Sequence, residues 1–554
     1  MREGFRQSMA WLHTWSGLLV CWVLFLVFCA GTASYFREEI TLWMKPELHA
    51  SHSAPVTNAQ AVQTALTALQ SKAPDASRWF ITLPAERSTA LRIGWISPPP
   101  KDAPPKTRGK FTSQIIDPLT GEKMPDVRET RGGEFLYRLH FDLHYMPALW
   151  ARWIVGFCAM FMLVAIVSGV ITHKRIFKDF FTFRPKKGQR SWLDAHNATA
   201  VLALPYHLMI TYTGLVTLMF MYMPWGIQTA YKGNQESFFA DVFPSARNGK
   251  PAGKPVPLTP LQPLLAQAEQ RWNGIPAVGI TINHPGDANA TVQIRRQEEK
   301  GLNYIQPSVQ FNGVTGALVS ADNEDIGGAN ATRGVLYGLH IGHFANPLLR
   351  VLFFLCGLSG CAMVATGALL WAVKTRQGQA RKLAAGGRVG FGLRLVEALN
   401  IGAIAGLPIG FAAYFWANRL LPVAMPKRPD AEISWFFIAW GVAAVLAQIR
   451  PDRRMWQWQL WAGAVLFMGI PVLNVFTTSS HLGVTLFLAQ GPWSVAGFDL
   501  TVLALGIALA LAAWHLGRKE KAGKKQTGKK TGKQRAQEPQ EGPETSEARL
   551  QETA

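Results

Sequence analysis

The stretch Tyr137-Arg138-Leu139-His140-Phe141-Asp142-Leu143-His144 has a counterpart later in the chain, Tyr337-Gly338-Leu339-His340-Ile341-Gly342-His343, and each leads into a long apolar run. A repeated tyrosine-leucine-histidine phrase at the mouth of two such runs predicts a duplicated membrane protein with histidine clusters at matching entrances. Imidazole is the usual neutral-pH ligand for iron. Ionisable side chains near bilayer depth are costly enough to be functional by default. Haem is therefore the first cofactor to consider.

Outward from these phrases, composition supports the membrane class. The chain has 554 residues, 49% hydrophobic and 16% charged, whereas soluble chains are near a quarter charged. Runs long enough to cross about 30 Å of hydrocarbon at about 1.5 Å per residue lie at Trp11 to Phe36, Ala148 to Thr172, Ala198 to Met223, Leu348 to Val373, Val396 to Trp416, Ile433 to Ala447, Trp456 to Phe476 and Val495 to Trp514. That is about eight spans, the first four forming a duplicated core and the last four, within 396–516, carrying no assignable role.

Short cytoplasmic loops retain Lys and Arg. Lys174, Arg175, Lys178, Arg184, Lys186, Lys187 and Arg190 fill one loop; Lys374, Arg376, Arg381, Lys382, Arg388 and Arg394 fill the loop 374–395; Arg450, Arg453 and Arg454 fill a third. They alternate consistently and put both termini in the cytoplasm. The net charge of +21 then reports topology, and a nucleic-acid partner, which needs a folded basic face with interleaved aromatics, is set aside.

The long loops 37–147 and 224–347 must lie on the other side of the membrane. The first has helix-spaced apolar residues over Thr57 to Gln70, strand-like Trp79 to Leu83 and Leu91 to Ile96, and a strand ending in the turn Asp117-Pro118-Leu119-Thr120-Gly121. The second repeats the order, with a helix over Leu258 to Gln270, a hairpin of Val278 to Asn283 and Ala290 to Arg295 across Pro285-Gly286-Asp287, and the turn Asn312-Gly313-Val314-Thr315-Gly316. The expected fold is a polytopic α-helical membrane protein with two small α+β domains outside the cytoplasm.

The tail from Gly517, rich in Lys, Gly and Thr and then in Glu, Pro and Gln, reads as disordered. Cys21, Cys29, Cys158, Cys356 and Cys361 all fall inside predicted spans and read as buried thiols, with no zinc spacing and no Cys-x-x-Cys-His. Arg2 and Arg6 before an apolar run resemble a signal peptide. An uncleaved anchor is the better reading, because removing it would unpair the two halves.

The candidate cofactor ligands are histidines at the span ends. His13, His173 and His196 sit at the cytoplasmic ends of the first three spans, His140, His144, His340 and His343 at the outer ends of the second and fourth, and His207 within the third. His196 and His207, three helical turns and about 16 Å apart on one face, suit two haems at different depths. His13 and His196 could face each other by pseudo-symmetry, and so could the outer histidines. One helix cannot supply both axial ligands to one iron, so one member of each close pair, such as His140 with His144, would ligate while the other supports it. The iron ligands are then a subset of His13, His144, His173, His196, His207 and His340.

Leu12-His13-Thr14-Trp15-Ser16-Gly17-Leu18, Arg152-Trp153-Ile154-Val155-Gly156, Asp194-Ala195-His196-Asn197, Gly338-Leu339-His340, Gly357-Leu358 and Ala365-Thr366-Gly367 resemble the PepSY-associated transmembrane family, as do the two outer domains with their Asp-Pro-Leu-Thr-Gly type turns. The resemblance covers about Met1 to Arg376. It implies a four-span core with two periplasmic PepSY-type domains in a bacterial inner membrane, and similarity to haem-bearing reductases that release iron from ferric siderophores. The cofactor expected is haem b, in two copies; the partners are the lipid bilayer, a periplasmic ferric siderophore, and an electron donor such as a quinol or a separate cytoplasmic reductase, since no Gly-x-Gly-x-x-Gly follows a strand. Two other classes stay open. A transporter would use the duplicated halves for alternating access, and a binding or regulatory protein would use the outer domains to hold a periplasmic partner.

Overall fold

The computed structural model describes residues 3–49, 56–85, 87, 90–99, 102, 109–124, 127–173, 184, 187–242, 249–297, 301–322 and 327–535. Lys174, Arg175, Lys178 and Lys186 of the first basic loop, and the tail after 535, lie outside these residues. Seven helices are long and apolar enough to cross a membrane, and a bent pair brings the number to eight if it counts as one span.

The core is built from α1 (Glu3–Ser34), the short α2 (Arg37–Trp43) that leaves it, α3 (Asn58–Lys72) in the outer region, α4 (Gly132–Asp142), and the spanning α5 (Ala148–Thr172). The second half supplies α6 (Gln189–Leu202), α7 (Leu204–Thr217), the outer α8 (Leu261–Arg271), α9 (Gly328–Ile341) and the spanning α10 (Pro347–Gly378). The third span, expected as one rod from Ala198 to Met223, is broken: α6 and α7 meet at 68°. Pro205 is the second residue of α7, where its missing N–H costs nothing to that helix but cannot continue the ladder of the preceding one.

The outer regions form one sheet. Strands β1 (Arg78–Thr82), β2 (Leu91–Ser97) and β3 (Lys110–Ile116) come from the first, and β4 (Ala277–Asn283), β5 (Thr291–Arg296), β6 (Ser308–Asn312) and β7 (Leu318–Asp322) from the second. Their order is β3-β2-β1-β4-β5-β6-β7. Each region keeps the helix and strands expected of it, and the two join where β1 and β4 pair antiparallel from Arg78↔Asn283 to Thr82↔Gly279. Alternation puts Trp79 and Ile81 on the same face as Ile280, Ile282, Val292, Ile294, Val309 and Phe311, and α3 and α8 cover that face with Leu66, Leu69 and Leu265. Thr57 caps α3 in a capping box with Gln60.

The duplicated turns match atom for atom. Asp117 Oδ1 accepts from the amides of Leu119 and Thr120, and Asn312 Oδ1 from those of Val314 and Thr315. Gly121 and Gly316 close them at φ +72°, a left-handed position that favours glycine.

Four further spans follow: α11 (Phe391–Leu420), α12 (Arg428–Ile449), α13 (Arg453–Thr477) and α14 (Trp493–Arg535). The last continues as helix to Arg535, beyond the Gly517 boundary where disorder is expected. This unit is tied to the core by polar bonds. Trp22 Nε1 donates to Asn400 Oδ1 at 2.9 Å, Trp43 Nε1 to Asp499 Oδ1 at 2.9 Å, Tyr414 Oη to the Gly132 carbonyl at 2.9 Å, and Arg128 Nη1 to the Asn418 carbonyl at 2.7 Å. Thr130 donates to Glu432, which is also paired with the fully buried Arg428. All five cysteines are free thiols. Cys29 and Cys361 touch across α1 and α10, with sulfurs 3.6 Å apart.

Candidate functional site

Two pairs of histidines, one from each half per pair, define the site. His13 on α1 faces His196 on α6 with ring centres 6.1 Å apart, and His140 on α4 faces His340 on α9, also at 6.1 Å. Every ring is anchored alike. Nδ1 donates to a span carbonyl: His13 to Ala165 at 2.8 Å, His196 to Met363 at 2.9 Å, His140 to Val27 at 2.7 Å and His340 to Ile210 at 3.1 Å. A carbonyl can only accept, so Nδ1 carries the hydrogen and Nε2 keeps its lone pair for a ligand.

The anchor has a second part. Four residues after each acceptor stands a glycine: Gly169, Gly367, Gly31 and Gly214. A Cβ on any of them would meet the imidazole, at 2.6 Å from His140 for Gly31, 2.9 Å from His340 for Gly214, 3.0 Å from His13 for Gly169 and 3.1 Å from His196 for Gly367. In a helix the carbonyl of residue i is bonded by the amide of i+4, so a side chain there would shade the oxygen. The glycines open it to the imidazole. Sequence reading missed these four residues, although the dipeptides Ala30-Gly31, Ser168-Gly169, Thr213-Gly214 and Thr366-Gly367 are a signal that could have found them. The hydroxyls of Thr213 and Thr366 also lie 3.2 and 3.4 Å from His340 and His196 Nδ1.

Each pair opens on a cavity. The cavity on the sheet side, about 460 Å³, is lined by His140, His340, His343, Tyr35, Tyr137 and Arg350 among others. The far cavity, about 410 Å³, is lined by His13, His173, His196 and His207 in a largely apolar wall. From His13 to Val27, the acceptor of His140, is 14 residues of α1, or about 21 Å along the helix. The two sites therefore lie near opposite ends of the core. Burial lowers the pKa of both sheet-side imidazoles, that of His340 to about 3.

Of the eight histidines singled out by sequence, four form the pairs and four do not. His144 does not share a helical face with His140, because α4 ends at Asp142 and Leu143, His144 and Tyr145 all take left-handed φ values; its ring stacks on Phe437 at 5.6 Å. His207 does not share a straight face with His196, because the 68° break intervenes. Its fully buried ring lies edge-on to Phe28 at 6.2 Å, beside the carbonyls of Ala200 and Cys356, with neither nitrogen in a closed hydrogen bond. His173 follows α5 and lines the far cavity. His343 lines the sheet-side cavity, edge-on to Tyr304 at 5.0 Å.

Two imidazole nitrogens each about 2 Å from a shared metal, with ring centres about 1.1 Å further back, put those centres about 6 Å apart. Both pairs have that spacing. Among the described residues no three His, Cys, Asp or Glu side chains gather as a bare ion would need, so a metal held here would take its remaining ligands from a non-protein group.

The fold and site define a multi-span membrane protein of two fused halves, with paired histidines in two cavities and a seven-stranded β-sheet beyond one of them. The chain belongs to the PepSY-associated transmembrane family: the model of the PepSY-associated TM region matches residues 10–374, which contain both cavities and the whole sheet. No curated protein matches the chain significantly.

Proposed function

We propose that this protein is a haem b protein of the bacterial inner membrane that carries electrons across the bilayer to reduce the iron of ferric siderophores in the periplasm, a ferric-chelate reductase serving iron uptake. The observation that carries the reading is the pair of histidine pairs, each with ring centres 6.1 Å apart and each on its own cavity. The donor set fits haem: two imidazoles, tautomers fixed by carbonyls, beside a cavity that is largely apolar at the far site and edged by arginines at the sheet-side site. Bound haem would supply one-electron exchange.

The chain's own residues do the rest. His13, His196, His140 and His340 would hold the iron, the four carbonyl–glycine anchors orient the rings, and the apolar far wall excludes water. In this reading the far cavity, next to the basic loops, faces the cytoplasm, where a quinol or a separate reductase would deliver electrons, and the sheet faces the periplasm, with both termini in the cytoplasm; the positive charge of the short loops supports that orientation. Ferric iron held by hard oxygen ligands is released when reduced, because Fe(II) binds such ligands less tightly.

The test is optical and kinetic. Detergent-purified protein should be red, with an absorbance spectrum that shifts on reduction, and the reduced protein should be reoxidised faster by a ferric siderophore than by the matching gallium complex, which cannot accept an electron. Colourless protein, or equal responses to iron and gallium with haem present, would overturn the reductase reading in favour of a binding module.

A further inference from the structure

Charge is distributed unevenly around the cavities. In the far cavity Lys374 is the one charged lining residue among the described residues, exposed near the end of α10. In the sheet-side cavity the charged lining is Arg37, Arg87, Arg152 and Arg350 against Glu38. Leu24 and Met162 line both cavities, so the region where the two approach each other is apolar. A carboxylate buried in such a wall without a partner is strongly disfavoured. A disc-shaped ligand with both carboxylates on one edge can enter either cavity only with that edge at the charged mouth.

Arg152 and Arg350 stand at similar places, near the N-terminal ends of α5 and α10, one from each half. Each is braced by an acid on a neighbouring element: Arg152 Nε donates to Asp142 Oδ1 at 2.8 Å, and Arg350 Nη1 to Glu39 Oε1 at 3.0 Å, with Arg350 Nη2 also donating to the Ala345 carbonyl at 3.2 Å. A guanidinium has five N–H donors, so one acid fixes the position of Arg152 and leaves donors for a second carboxylate, with the positive charge of Arg350 on the same cavity wall.

We propose that Arg152, with the positive charge of Arg350 beside it, holds the porphyrin carboxylates at the sheet-side mouth and that Lys374 holds a carboxylate at the opposite mouth, so that the carboxylate edges of the two cofactors are drawn to opposite faces of the membrane. This rests on the haem reading above. It adds residues from outside the histidine pairs and a polarity to each site.

The experiment reconstitutes the full chain, purified without haem, with haem or with haem dimethyl ester, whose carboxyls carry no charge, and follows loss of each cofactor to a haem-scavenging protein by Soret absorbance. The ester should leave unmodified protein at least tenfold faster than haem. Lys374→Gln should speed loss of haem from one of the two sites about tenfold without further speeding the ester, and the Arg152→Gln/Arg350→Gln pair should do the same at the other site. Equal loss of haem and ester from unmodified protein overturns the proposal without recourse to any variant, as does a Lys374→Gln effect of the same size on both ligands. Protein that takes up neither ligand overturns the haem reading itself.

Discussion

Substituting Gly31 by alanine tests the histidine anchors most directly. The new methyl would lie 2.6 Å from His140 Nδ1 and 2.7 Å from its Cε1, nearly 1 Å inside ordinary contact, in a cavity wall built from α1 and α4. Either the ring tilts and gives up the 2.7 Å bond to Val27, or α1 moves away. The first costs about 0.5–1.5 kcal/mol for the hydrogen bond, the second about 1–3 kcal/mol for overpacking. Loss of an outer partner of a metal-bound imidazole typically weakens binding 10–100-fold, equivalent to about 1.4–2.7 kcal/mol. Gly31→Ala should therefore weaken haem binding at the sheet-side site by 10–100-fold while the far site keeps its cofactor. The same change at Gly367, where the nearest atom of His196 is 3.1 Å away, should cost the far site much less. Haem per protein, measured by pyridine haemochrome during titration of the apo-protein, reads both. An effect of Gly367→Ala equal to or larger than that of Gly31→Ala would refute the steric reasoning.

Three further outcomes are expected. His13→Ala and His140→Ala should each remove one haem per chain, whereas His144→Ala and His207→Phe should leave both, read by the same haemochrome assay; loss of haem in His144→Ala would contradict its place against Phe437. Reporter fusions after His173 and after Arg376 should report cytoplasm and fusions near Pro98 and Asn289 periplasm, and a periplasmic signal after His173 would invert the scheme. Lys45, beside Arg92 outside the spans, has its pKa lowered by burial to about 8 from 10.5. Between these values the unfolded chain binds the extra proton, so resistance to unfolding should rise with pH over that window, and Lys45→Met should flatten the rise in chemical denaturation.

Legibility in the sequence followed the range of the interactions. Spans such as Ala148–Thr172 were readable to the residue because hydropathy is a local property. The duplicated turns at Asp117 and Asn312 were readable because an Asx turn is closed by its own neighbours. The facing of His13 and His196 followed from pseudo-symmetry. The break before Pro205 was signalled only by the proline itself, which in the first turn of a helix is also an ordinary start signal, so the span read as one rod, and with that rod went the assumed common face of His196 and His207. The anchors were hidden for a different reason: His13 and Ala165 are 152 residues apart, and no local pattern says which carbonyl an imidazole will find. The same distance in sequence concealed the joining of two outer regions into one sheet, because β1 and β4 carry identical alternation whether they pair with each other or with solvent.

That β1–β4 seam limits what the molecule can do mechanically. Alternating access by rocking needs two halves that swing against each other on both sides of the membrane. Here the halves are stitched together on one side by five consecutive residue pairs, Arg78↔Asn283 to Thr82↔Gly279, at the middle of a continuous ladder. A hinge there would have to unzip backbone hydrogen bonds backed by Trp79, Ile81, Ile280 and Ile282 in the sheet's core. Alternating access would have to open this clasp between its moving parts. The relay proposed above passes only charge and needs its parts to stay still; on that reading the seam acts as a splint that holds the two histidine pairs at one distance.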